Sequence, residues 1–104
     1  YAFDQIFSRQ INALGRPGDL LIAITTSGNS PNILEAVKAA AGIGLDVVAL
    51  TGRGGGALAG LLRETDIELR IPSDSTARIQ EAHAIIIHSI CDLIDLRITG
   101  EFQL

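Results

Sequence analysis

A chain of 104 residues can build one compact domain but not two. Its 47% hydrophobic content gives enough apolar side chains for a core and excludes a disordered segment. The net charge of −4, with no run of Lys or Arg, excludes the basic face that nucleic-acid binding needs, although backbone amides could still hold a small anion.

Phe3, Ile6, Phe7, Ile11 and Leu14 recur at three- and four-residue steps, so residues 3–14 are expected to form an amphipathic helix. Gly15-Arg16-Pro17-Gly18-Asp19 ends it and turns the chain. The apolar run Leu20 to Thr25 is short and bounded by turns, which predicts a strand buried on both faces. The polar loop Thr26-Ser27-Gly28-Asn29-Ser30 follows. Next comes a helix with Ser30 at its N-cap, Pro31 at its first position, and Gly42 or Gly44 at its end.

Asp46 to Thr51 reads as a second buried strand, and Gly52 to Gly56 as a glycine-rich turn. A short helix is expected over 57–62, then a third strand over 66–71, nearer an edge. Pro72 to Thr76 is a polar loop with several candidate caps. One long helix should run from Ala77 to about Ile98. It is apolar on almost every side, so it should be central or packed in an oligomer. Cys91, the single cysteine, cannot form an internal disulfide and is expected in the core of that helix, in a reducing, cytoplasmic setting. The longest apolar stretch is broken by His88 and Asp92, so no membrane span is expected.

This alternation predicts an α/β fold with a doubly wound parallel sheet. Ligands of such sheets bind at the carboxyl ends of strands, where the loops 26–30 and 72–76 fall. Thr25, Thr26, Ser27 and Ser30 offer hydroxyls directly before a helix N-terminus, with Asn29 beside them and free N–H groups pointing at the same place. Gly28 lets backbone approach a ligand closely. The loop reads as a phosphate cradle without a lysine, or more plainly as a Ser-capped helix after a turn. On the long helix, Gln80 and His88 are eight residues apart, about 12 Å along the axis and some 80° around it. By spacing alone they are a weak metal pair, and a buried or capping histidine is the commoner outcome. His83 is read as structural or interfacial, and Arg78 and Glu81 as ordinary surface charges. The turn 51–56 lacks the acidic residue of a dinucleotide fingerprint and is read as a flexible loop with Arg53 facing solvent.

The stretches ITTSGNS, VVALTGRGGGALAG and ARIQEAHAIIIHSICDLID, in that order, resemble the SIS (sugar isomerase) family across nearly the whole chain. They are closest to its phosphoheptose isomerases and to relatives that bind the replication initiator DnaA. The resemblance implies a Rossmann-like three-layer sandwich, with residues 1–104 forming a single SIS domain incomplete at its N-terminus. It implies that Thr25, Ser27 and Ser30 hold a sugar phosphate, with Thr26 and Asn29 beside them. His88 would be the catalytic histidine, and Gln80 a substrate or metal ligand. Zinc, implied for some members, would be bound through Gln80 and His88. The family usually has serine where this chain has Thr25, and some isomerases have Asp where it has Ala77. The implied partners are a sugar-phosphate substrate and a homotetramer, with no nucleic acid or membrane. The implied reaction converts sedoheptulose 7-phosphate to D-glycero-D-manno-heptose 7-phosphate for ADP-heptose and lipopolysaccharide. A partner glutamate is implied too, and Glu35, Glu64, Glu68, Glu81 and Glu101 do not match its setting. The alternatives are a non-catalytic DnaA-binding protein and a sugar-phosphate sensor domain. A histidine at position 88, rather than a non-titrating residue, favours the enzyme.

Overall fold

The computed structural model describes residues 2–101. A 3-10 turn (Phe3–Gln5) runs into α1 (Ile6–Leu14), followed by β1 (Leu20–Ile24), α2 (Pro31–Ile43), β2 (Asp46–Gly52), α3 (Gly56–Ala59), β3 (Ile67–Ile71) and α4 (Thr76–Thr99). The strands pair in parallel in the order β1-β2-β3. Ile22 lies opposite Val48, and Val48 opposite Ile67; Ile24, Leu50 and Leu69 align in the same way. The α/β class with a parallel sheet is the one the sequence predicts.

Period-two alternation decides which side chains meet which helices. Ala23, Val47 and Ala49 pack with Val37 and Ala40 of α2, with Leu45 and with Leu58 of α3, and Ile11 of α1 lies against this cluster. Leu50 points the other way and is fully buried, as is Ile79 of α4. Ile24, on the same side as Leu50, shares a cleft with Ala84 and Ile87 of α4. Helices therefore cover both faces, giving three layers.

Several elements differ in detail from expectation. β1 is not buried on both faces: among the described residues it is an edge strand, and Leu20, Ile22 and Ile24 are exposed. Gly60 cuts α3 to one turn. Asp66 does not open β3; its carboxylate lies in the preceding turn and accepts from Val47 N (2.9 Å) and Arg63 N (2.8 Å). The Arg63 side chain bonds both Asp66 and the carbonyl of Leu45. This knot ties the start of β2 to the start of β3.

The larger correction concerns α4. Cys91 is exposed, not buried. So is every described residue from there to 101, and Ile85, Leu93, Ile94 and Ile98 are exposed too. A helix of 24 residues is roughly 36 Å long at 1.5 Å per residue. Strands of five to seven residues reach only about 17–23 Å. The last turns of α4 outrun the sheet and have nothing within the described residues to cover them. No helix there is long and apolar enough to cross a membrane.

Burial pushes the Asp66 carboxyl up, but hydrogen bonds from the Arg63 side chain, the Arg63 and Val47 amides and the Arg63 charge outweigh it, and the net pKa is lowered. A lowered folded-state value stabilises above the ordinary carboxylate range, and the benefit is lost as pH falls through that value. Asp66→Ala in the intact protein should therefore cost about 1–3 kcal/mol in urea unfolding at neutral pH. The gap between variant and wild type should shrink as the pH is lowered through the folded-state value.

Candidate functional site

The loop after β1 and the glycine-rich loop after β2 lie backbone to backbone. Gly28, at φ +72°, would put a Cβ 1.9 Å from the carbonyl oxygen of Gly55. Gly56, at φ +59°, would put one 2.4 Å from the carbonyl oxygen of Ser27. No side chain fits at either place. The close approach that Gly28 permits is thus to another loop of the same chain. Gly56 serves this contact, a Cβ on Gly55 would meet Arg70 and Glu68, and Gly54 has open space around it.

Polar groups stitch the two loops. Leu58 N donates to Gly28 O (2.9 Å), and Ala57 N donates to Asn29 Oδ1 (2.8 Å). The first loop thereby caps α3. Ser27 Oγ accepts from Asn29 N at 3.1 Å. Thr25 is buried; its Oγ1 accepts from Gly28 N (3.2 Å) and shares a hydrogen bond with Ser30 Oγ (3.0 Å). Ser30 occupies the N-cap position of α2, yet its side chain makes no capping bond. Its hydroxyl is directed to Thr25 instead.

Arg53 is exposed, as expected, but it is not loose. Its guanidinium donates to Asp74 O (2.8 Å) and Thr76 Oγ1 (2.9 Å), and its amide donates to Ser73 O (3.2 Å). This tethers the loop after β2 to the turn that opens α4, where Ser75 Oγ accepts from Arg78 N. Arg78 pairs with Glu81 at 2.8 Å, both well exposed. Beside Gly55, the Glu68 carboxyl is held below its usual range by hydrogen bonds from Arg70, against burial, with help from the Thr51 hydroxyl.

A cleft of about 420 Å³ opens where β1 ends, lined by Ile24, Thr25, Thr26, Ser30, Gln80, His83, Ala84 and Ile87. Four of the expected site residues, Thr25, Thr26, Ser30 and Gln80, come together there. Ser27 and Asn29 make their hydrogen bonds within the loop and to α3. His88 directly follows Ile87 on α4 but is exposed and outside the lining. His83, read as structural from sequence, is buried and lines the cleft. The signal that could have found it is spacing: 80, 83, 84 and 87 form one helical face. A second hollow, between α1 and the opening of β1, carries only Gln10 and Asp19 as polar side chains and lies at the opposite end of the strands.

Among the described residues no three His, Cys, Asp or Glu side chains converge on a metal position. Gln80 and His88 amount to two donors, fewer than the three protein ligands of a catalytic zinc. These residues do not make a zinc site by themselves.

The SIS domain matches residues 1–52. The chain belongs to the SIS domain family. It is 56% identical over 103 residues to the phosphoheptose isomerase of Chromohalobacter salexigens, covering 99% of this chain and 52% of that protein. The phosphoheptose isomerase of Shewanella denitrificans is 58% identical over 95 residues, or 91% of this chain and 48% of that one. Among solved structures, that of the Neisseria gonorrhoeae phosphoheptose isomerase superposes with a TM-score of 0.89 at 55% identity, covering 90% of this chain and 52% of that one. The Francisella tularensis phosphoheptose isomerase gives 0.88 at 54% identity, with 89% and 50% covered. The SIS chain described here spans about half the length of the relatives it matches.

The loop contact makes a sharp contrast between two glycines. Gly28→Ala should cost at least about 1–3 kcal/mol from backbone conformation alone, and more because the new Cβ overlaps Gly55. Gly42, in α2, has open space around its Cβ direction, so Gly42→Ala should gain up to about 1 kcal/mol. Urea unfolding of the two variants checks both signs.

Proposed function

We propose that the intact protein is a phosphoheptose isomerase, converting sedoheptulose 7-phosphate to D-glycero-D-manno-heptose 7-phosphate. The observation that carries this reading is the cleft in which the Thr25–Ser30 hydroxyl pair and Thr26 face Gln80 on α4. The names of the relatives support it.

In this reading the phosphate rests against Thr25, Thr26 and Ser30, with the α2 N-terminus behind them. Ser27 and Asn29 hold the loop in shape and add donors where they face the ligand. Gln80 orients the sugar through its amide. His88 acts at the other end of the substrate. Neutral imidazole removes a proton from C1 of the ketose, giving an enediol, and a proton is returned at C2 as the O1 hydroxyl proton passes to O2. Bond count and charge balance over the cycle, and no external oxidant or reductant is needed.

Among the described residues no carboxylate lines the cleft. Glu81 is paired with Arg78, and Glu68 with Arg70 and Thr51. We assign the partner acid/base in this mechanism to a glutamate supplied by another part of the intact protein. A zinc ion, if used, would take further ligands from there as well. The exposed apolar residues of α4 support assembly into a homotetramer. We place the enzyme in the cytoplasm, supplying a heptose phosphate for ADP-heptose and lipopolysaccharide. The relatives lend no support to a DnaA-binding role.

Two variants of the intact protein separate the two ends of the site. His88→Gln should abolish turnover of sedoheptulose 7-phosphate while leaving inorganic phosphate binding unchanged. Ser30→Ala should weaken phosphate binding roughly tenfold, the value of one hydrogen bond to a charged group, as read by calorimetry. Absence of turnover by the wild type, with and without added zinc, overturns the isomerase reading.

A further inference from the structure

We propose that His83 is a positioning residue, whose ring bond to the end of β2 fixes the register of α4 and so aims Gln80 into the cleft. The proposal rests on the reading of that cleft as the sugar-phosphate site.

Of the 24 residues of α4, two are buried, Ile79 and His83. They are four apart and lie on one face of the helix. Both land on the same strand end. Ile79 fills the notch left by Gly52, where an added Cβ would lie 2.5 Å from Ile79 Cδ1. His83 Nε2 lies 2.7 Å from Thr51 O. The apolar contact holds the helix close but has no direction of its own. The hydrogen bond does have one. Together they fix both height and rotation.

The anchor point is itself held. Thr51 is fully buried, and its hydroxyl donates to Glu68 Oε2 at 2.7 Å. Arg70 grips the same carboxylate at 2.9 Å. The carbonyl that receives His83 thus belongs to a residue fixed through its side chain as well as through the sheet.

A carbonyl oxygen only accepts, so Nε2 of His83 carries the hydrogen. In the neutral ring Nδ1 is then a bare acceptor, and it is buried without a partner. An apolar side chain would fill this place without a bare Nδ1, but it would take the donor away from Thr51 O. What the imidazole adds is its other nitrogen, placed on Thr51. Gln80 lies between the two anchors. A slip of one residue would turn α4 by about 100° and shift it by about 1.5 Å, which takes Gln80 off the cleft.

The test uses the intact protein with His83→Phe, which keeps a ring without a donor, and His83→Gln, which restores one. Each is measured for thermal midpoint, inorganic phosphate affinity, and kcat and KM for sedoheptulose 7-phosphate. We expect His83→Phe to bind phosphate like the wild type, because the hydroxyl loop is untouched. Its kcat/KM should fall by roughly ten- to a hundredfold, the scale of a displaced site group. His83→Gln should recover most of that loss without recovering more stability. Wild-type kcat/KM in His83→Phe, or equal impairment of both variants, would overturn the proposal. Should His83→Phe not fold, nitrogen-15 NMR of the wild-type imidazole decides: hydrogen on Nε2 with Nδ1 bare is expected, and the opposite tautomer overturns it. Lack of sugar-phosphate turnover by the wild type counts against the functional reading, while the tautomer still tests the anchor.

Discussion

Two loops that touch through their main chains govern the rest of this structure. Between Ser27–Gly28 and Gly55–Gly56 there is no space for a side chain. That contact sets the shape of the hydroxyl loop, because Gly28 N is then placed to donate to Thr25 Oγ1, and Gly28 O to accept from Leu58 N. It also orders α3, a helix of four residues too short to be stable alone. The glycine-rich turn adds no described residue to the cleft lining. It is the other half of the cradle's scaffold.

The same end of the sheet organises α4. Gly52, the last residue of β2, leaves the notch for Ile79, and the carbonyl of Thr51 receives His83. Arg53, the next residue, adopts φ +52° and ties the turn before α4 through its guanidinium. A left-handed backbone at a non-glycine residue is strained, and here three hydrogen bonds to 73, 74 and 76 accompany it. Three consecutive residues of one strand end thus place a helix that is otherwise largely exposed.

The proposed chemistry divides along α4. The face with Gln80, His83, Ala84 and Ile87 meets the hydroxyls; His88, the next residue, faces the open. A substrate spanning the two would have its phosphate enclosed by this chain and its reacting carbons at its margin. That arrangement fits a site completed by other parts of the protein, in line with a chain covering about half of its relatives.

Sequence periodicity alone determined the order of elements and the parallel sheet. Runs such as Leu20–Ile24 and Asp46–Leu50 are too short and too apolar for other roles, and Ser30-Pro31 and Gly44 mark the ends of α2 by local backbone chemistry. The hydroxyl loop was legible for the same reason, since its residues are neighbours in the chain. What only the tertiary structure decided is everything that joins distant residues. Asp66 looked like a strand residue but bonds Val47, 19 positions away. His83 reads as structural or interfacial, but nothing local names its partner, the carbonyl of Thr51, 32 positions away. Cys91 looked buried because its neighbours are apolar, yet burial depends on what the sheet is long enough to cover. Local propensity acts over a few residues, whereas exposure and hydrogen-bond partners are set by packing, which no window of sequence contains.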